Sequence, residues 1–435
     1  MQEHLIRTKE NERVAFFIRA YNDVDHFVPV IAEFIKKDEN PIIILTTDLD
    51  FENDYRVLYL KTLGNFEVFR DEDIDFMNYE KRGSFLSKLS SRIYSLKRNR
   101  KGFIGRLYRR FNFDCKKELE FLKFNNIGAC VFEWCTPFER GEVVEKYFFA
   151  AKGIGLRTIS IPHGCNIFIN SDVTIGYRKE AINGKLVDPS DRNHFDYYVL
   201  QNPIRRDGWI RLGYDAVKTQ AWGSSRFYPD WAKTNVEICP KFKPRKNNEN
   251  KLKVVFMQFQ KDYNVHNELV MGALQELSRL DYISLVVKDA TREGKAFYNR
   301  NKAAGELGDA LINWYGNEVH SPALIDWADC VIVIGGSIGI EAMLQKKHLI
   351  YPTYLNTNHT MYEYFNAAHC AASISEMKNI LSKLKNNPDM PQPHGIETMI
   401  KEIVYAGGEP FDVPLRYYEL IKESNLSYGL DQLTK

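Results

Sequence analysis

Five consecutive apolar residues, Cys330-Val-Ile-Val-Ile334, leave few folds open to this chain. A run without polar alternation is buried on both faces, which is the habit of a parallel strand in an α/β sheet. Gly335-Gly336-Ser337 follows at once, helical periodicity runs from Ile338 to Gln345, and a second strand is expected over His348 to Tyr351. Strand, tight Gly/Ser turn and helix together can cradle a phosphate. Glycine lets backbone approach a ligand, and the first helical turn has free N–H groups carrying partial positive charge. Ser337 can cap that helix or donate to the phosphate, and Glu341, one turn further, can reach a ribose hydroxyl. A plain βα turn has the same composition, so this stretch alone leaves both readings open.

The same alternation recurs through most of the chain. Arg13–Arg19, Pro41–Thr47, Phe66–Phe69, Gly128–Trp134, Leu156–Ile161 and Tyr197–Leu200 read as strands, with helices between them such as Phe27–Lys37 and Asp114–Phe124. Cys239 to Lys251, CPKFKPRKNNENK, is polar and rich in Pro, Lys and Asn, as linkers are. A second series follows, with strands at Lys253–Phe259, Ile283–Val287 and near Leu311–Trp314 before the run at 330–334. Two Rossmann-like halves with parallel sheets and a cleft between their strand ends are therefore expected. The divisions predicted are 1–238, a linker at 239–251, 252–408, and a C-terminal helix within 409–435. At 435 residues the chain is too long for one ordinary core, which agrees with two units.

Charge is uneven. Lys81 to Arg110 holds 11 Lys and Arg and no acidic residue, which leaves 48 of the 59 basic residues against 57 acidic ones elsewhere. Within 81–112, Leu86, Leu89, Ile93 and Leu96, then Ile104, Leu107, Tyr108 and Phe111, recur at helical spacing between the cations. This insertion reads as one or two basic amphipathic segments lying on the anionic inner face of the cell membrane. A solvated helix pair and a nucleic-acid patch are the alternatives; bulky apolar side chains favour lipid, so nucleic acid is not expected as a partner. No stretch approaches the roughly 18 apolar residues of a membrane span, and the polar N-terminus does not resemble a signal peptide. Seven cysteines without paired CxxC spacing suggest buried thiols in a reducing cytosol rather than structural zinc.

Several motifs together carry a family likeness: IPHG at 161–164, WGSSRF at 222–227, VVKDATR at 286–292, SPALIDWADCVIVIGGSIGIEA at 321–342, and KKHLIYPTYL. In these the chain resembles GT-B glycosyltransferases of bacterial surface-polysaccharide synthesis, with Kdo transferases of capsule and O-antigen (lipopolysaccharide) assembly as the nearest group. CDP-glycerol phosphotransferases are more distant. Where many relatives have His-Pro after the second strand of the second half, this chain has Asp289-Ala290. The resemblance implies transfer of Kdo or a related acidic sugar from a CMP-linked donor to a glycan or lipid-linked acceptor. Another nucleotide-sugar or CDP-polyol transferase on the same fold, or a non-catalytic assembly scaffold, is the alternative.

Such a reaction needs a carboxylate as base or nucleophile, and positive or N–H groups on the leaving phosphate. Residues beyond carboxyl strand ends are the candidates. For catalysis these are Asp289, His163, Asp262 and Glu133, with Asp289 first because it follows a buried strand beside Lys288 and Arg292. For the donor they are Lys288, Arg292, His320, Ser321, Gly335, Gly336, Ser337 and Glu341. For the acceptor they are Arg19, His26 and Arg226. D-x-D tripeptides occur at 23–25, 48–50 and 71–75. They fall in the first half, away from the expected donor site, so no metal and no other cofactor is expected.

Overall fold

The structure is a computed structural model. It describes residues 12–47, 49–72, 74, 115–134, 142–170, 173–184, 190–245, 250–260, 262–290, 313–316 and 318–423. The basic insertion at 81–112 and Arg292 lie outside these residues.

Two wholly parallel sheets form the frame. The first contains β1 (Arg13–Ile18), β2 (Ile42–Leu45), β3 (Glu67–Arg70), β4 (Ile127–Glu133), β5 (Arg157–Ile161), β6 (Tyr197–Leu200) and β7 (Thr219–Ala221), in the order β3-β2-β1-β4-β5-β6-β7. The second contains β8 (Leu252–Met257), β9 (Ile283–Lys288), β10 (Trp314–Tyr315), β11 (Cys330–Val333), β12 (His348–Pro352) and β13 (His369–Ala371), in the order β10-β9-β8-β11-β12-β13. In each sheet the order reverses beside the first strand, which opens a crevice at the carboxyl ends on either side of β1/β4 and β8/β11. The apolar runs behave as anticipated: every residue of β2 and β11 is buried. Of the strand expected near 311–314, residues 311 and 312 lie outside the described residues, and Trp314 opens the short β10.

One helix begins earlier than its apolar periodicity suggests. Residues 20–26, expected as a loop, are instead its first turns: the helix runs Tyr21–Lys36 with Pro29 inside it. Asp23 makes the early start possible, because its Oδ2 accepts the backbone N–H groups of Arg19 (2.7 Å) and Ala20 (2.8 Å). Asp23, Asp25 and His26 are therefore held on a rigid element at the end of β1.

The units touch at several places. The C-terminal helix, Val413–Lys422, returns to the first sheet's side. There the Tyr418 ring meets Phe34 at 4.8 Å, the Tyr417 hydroxyl donates to the Gly223 carbonyl (2.9 Å), and Lys422 pairs with Glu39 (2.9 Å). A strap after β5 lies along the second unit. Ile169 N–H donates to the His359 carbonyl (2.9 Å), and Met361 N–H to the Ile167 carbonyl (2.8 Å). Asn358 completes this seam, accepting from Asn170 and Asn264 and donating to the carbonyls of Val173 and Tyr263. Its amide is fully used, which is how a buried polar side chain specifies one arrangement without an unsatisfied group.

Candidate active site

At the crevice of the first sheet three strand ends converge. Glu133 is the last residue of β4 and is 2% exposed. Arg19, just past β1, brings Nη2 to 2.5 Å from Glu133 Oε1, while His163, two residues past β5, sets Nδ1 against Glu133 Oε2. The latter contact is an ion-pair approach rather than a well-aligned hydrogen bond. Pro162 and the Gly164 carbonyl, which accepts from Gln201 Nε2 (2.6 Å), fix the loop that carries His163. The Ser160 hydroxyl donates to the Glu133 carbonyl (2.9 Å). With Nδ1 turned to the carboxylate, Nε2 of His163 is left for a substrate proton.

Asp23 is the fourth member. It is fully buried, and burial together with the charge of Glu133 pushes its carboxyl up to about 6, against the pull of His163 and its two backbone N–H donors. One ligand atom each from Asp23, Glu133 and His163 lies within 4.8 Å of the others, a spacing that a metal ion could also use. Arg19 already supplies a positive charge to this group.

A ladder of charges leads from here into the second unit. Arg56, buried, pairs with Asp54 (2.6 Å) and touches Asp25; Asp25 pairs with Arg226 (3.1 Å); and Arg226 grips Glu341 Oε1 through Nη2 (2.6 Å) and Nε (3.0 Å). Alternating signs make burial tolerable, since each charge faces its opposite in a low dielectric. Glu341 Oε2 remains buried with no hydrogen-bond partner.

This ladder engages three of the candidates. Arg226 is committed to Asp25 and Glu341 and does not stand open to an acceptor. Glu341 is held by Arg226 rather than turned outward to a ribose. His26 is 2% exposed, packs edge-on against Phe227 at 6.3 Å, and is held well below its ordinary pKa by burial, then by Arg226 and His163. Arg19 does reach the crevice, but as the partner of Glu133.

The second unit presents the remaining candidates at the ends of β8, β9 and β11. Gly335 and Gly336 form the turn after β11, and Ser337 precedes the Ile338–Leu344 helix without capping it through its side chain. A side chain at Gly335 would meet the Phe168 ring at 3.2 Å, so the strap of the first unit lies directly on this turn. The Gly336 carbonyl accepts from the Tyr362 hydroxyl (2.7 Å). His320 and Ser321 enter the Ser321–Trp327 helix, with the His320 ring 4.7 Å from Tyr55 of the first unit. Burial lowers the pKa of His320.

Lys288 is 2% exposed and its Nζ donates to the Gly316 carbonyl (2.7 Å). To meet a phosphate it would have to exchange that bond. Asp289 accepts from the Trp314 indole (2.5 Å), and burial raises its pKa. Asp262 is exposed, and its carbonyl accepts from Ile175 N–H (2.8 Å). No hydrogen bond or ion pair joins Asp289 or Asp262 to Glu133 and His163. The structure thus brings Arg19, Glu133 and His163 together and leaves those two carboxylates apart. Asp23, Asp25, Asp54 and Arg56 were not among the candidates; the D-x-D at 23–25 was a signal for the first two, and Asp54 and Arg56 had none.

No protein-family model and no curated protein matches this sequence. Solved structures do match across nearly the whole chain. The UDP-GlcNAc 2-epimerase from Neisseria meningitidis bound to UDP-GlcNAc aligns with 94% of this chain and 100% of its own, at 10% identity and a TM-score of 0.55. The fold is GT-B. A glycosyltransferase from Rickettsia africae covers 96% of this chain and 100% of its own at 13% identity, with a TM-score of 0.54. The Anabaena protein HepE in complex with UDP-glucose covers 94% and 98%, at 11% identity and 0.51. At such identities the likeness speaks for the GT-B architecture, two Rossmann-like units with facing crevices, and not for a substrate.

Proposed function

We propose that this chain is a glycosyltransferase that moves a sugar from a nucleotide-linked donor to a glycan or lipid-linked acceptor hydroxyl. The observation that carries this reading is the Arg19–Glu133–His163 group, a positioned base backed by a carboxylate, at the crevice of a GT-B fold. His163 Nε2 takes the acceptor proton as the hydroxyl oxygen attacks the anomeric carbon. Glu133 orients the ring and offsets the charge of the imidazolium, and Arg19 fixes Glu133. The departing phosphate is met by the backbone N–H groups at Gly335–Ser337, with His320 and Ser321 beside them, so no proton need be delivered there. Asp289 is assigned to the donor side. No metal ion takes part in a step, and activity in excess chelator should persist.

The finer reading is Kdo, or a related acidic sugar, carried on CMP in surface-polysaccharide synthesis; it is supported by the IPHG, WGSSRF and 321–342 motifs. The enzyme acts at the cytoplasmic membrane face, held there by the basic segment 81–112. Among the described residues no helix is long and apolar enough to cross a membrane. Flotation with anionic against neutral liposomes tests this attachment, and equal recovery in both contradicts it.

A second reading, epimerisation of a nucleotide sugar, is favoured by one observation: Asp23 places a second, readily protonated carboxyl beside the base. Nucleotide release decides between them. A transferase slowly releases CMP from CMP-Kdo, faster with acceptor, and Glu133→Gln loses this while Asp289→Asn tells whether the donor-side carboxylate is also required. An epimerase instead interconverts UDP-sugars without needing an acceptor. Turnover of no nucleotide sugar at all overturns both.

A further inference from the structure

Away from the cleft, at the amino ends of the second sheet's outer strands, two histidines meet. His348 opens β12 and His369 opens β13, and parallel pairing of these strands sets Ile350 opposite His369. His348 Nδ1 lies 3.2 Å from His369 Nε2, and both rings are half-buried. One of these two nitrogens carries the hydrogen and the other a lone pair.

We propose that His348 and His369 form a two-imidazole site for a late first-row divalent cation such as Zn²⁺, which clips the edge strand β13 to β12. The geometry is that of a chelate. Zinc–imidazole bonds are about 2.0–2.1 Å long, so two of them at a tetrahedral angle hold their nitrogens roughly 3.4 Å apart, and at a right angle roughly 2.9 Å. The observed 3.2 Å falls between these. Binding requires a lone pair on both nitrogens, so the ring that carries the hydrogen between them moves its proton to its other nitrogen, a tautomer change that releases no proton.

Neutral imidazoles suit Zn²⁺, Ni²⁺ and Cu²⁺, whereas Mg²⁺ and Ca²⁺ prefer oxygen. Among the described residues no carboxylate or thiol completes a three-ligand group here, so water fills the other positions and the affinity is weaker than that of a closed structural site. β13 is three residues long and at the sheet edge, so it gains most from a clip that the unfolded chain cannot form. The site is independent of the reaction proposed above.

The test is calorimetric titration and thermal unfolding of the full chain with ZnCl₂ or MgCl₂. Zn²⁺ should bind and raise the melting temperature, and Mg²⁺ should do neither. The effect should vanish in His348→Gln and in His369→Gln and persist in His163→Gln. With the unsubstituted protein, paramagnetic Ni²⁺ should broaden the ring signals of these two histidines first. Absence of Zn²⁺ binding at sub-millimolar concentration overturns the proposal. So does binding that survives His369→Gln, or binding lost only in His163→Gln, which would place the ion at Asp23, Glu133 and His163.

Discussion

Replacing Asp23 by Asn should stabilise the protein at neutral pH and do nothing of the kind in acid. Asp23 is fully buried, and its carboxyl rises from an ordinary 3.8 to about 6, so ionisation is harder in the folded chain than in the unfolded one. A raised acid pKa means that stability is greatest with the group protonated, and falls as pH climbs from the unfolded value through the folded one. A rise from 3.8 to about 6 is worth about 3 kcal/mol when complete, at about 1.4 kcal/mol per decade. Roughly half of that develops between about pH 5 and about pH 7.5. Asn keeps an oxygen that can accept from Arg19 and Ala20 N–H, retaining the helix start, but carries no charge to bury. Urea unfolding of both proteins at the two pH values reads the effect of Asp23 together with its influence on Glu133 and His163, whose charges act on it. The stability of Asp23→Asn relative to the parent should increase by roughly 1–2 kcal/mol from the lower to the higher pH. A gap that stays constant with pH, or narrows, refutes the assignment of a buried, reluctantly ionised carboxyl beside Glu133.

Glu133→Gln should lower turnover of the sugar-transfer reaction at least about 100-fold with little change in donor KM, since the imidazolium of His163 loses its counter-charge while the donor turn is untouched. Combining it with His163→Ala should cost little more than either alone, because the two act as one unit; additive losses would argue against that. Glu341→Gln removes one partner of a buried, hydrogen-bonded ion pair and leaves Arg226 with Asp25 alone. Urea unfolding should show a loss of about 3 kcal/mol or more, and a neutral result would mean the Arg226–Glu341 contact is not formed in solution.

How much of this was readable beforehand depended on whether the information was local. The strands were plain because RVAFFI, IIIL and CVIV bury every face and have no polar alternation. Parallel sheets then followed from the alternation of strands and helices, whereas the strand order, reversing beside β1 and β8, came from the structure. The Tyr21 helix start was hidden because Pro29 and a run of polar residues imitate a loop, and the device that opposes them, Asp23 on two N–H groups, is a matter of geometry. Glu133 and His163 were found by their place at strand ends. Their union with Arg19, and the ladder from Arg56 through Asp25 and Arg226 to Glu341, joins residues up to hundreds of positions apart, which no spacing rule encodes. The internal contacts of His26, Arg226 and Glu341 were hidden for the same reason: each has a ligand-binding chemistry, and the tertiary fold also gives it a partner from a distant segment.

The central claim is that the crevice between the two units receives an activated sugar, its phosphate on the Gly335–Ser337 amides and its reacting carbon facing His163. A crystal soaked with cytidine monophosphate, and a second with uridine diphosphate, tests this most directly. The account predicts phosphate density within hydrogen-bond reach of the backbone nitrogens of that turn in at least one of them. Nucleotide bound elsewhere, or a crevice left unfilled by both, would contradict it.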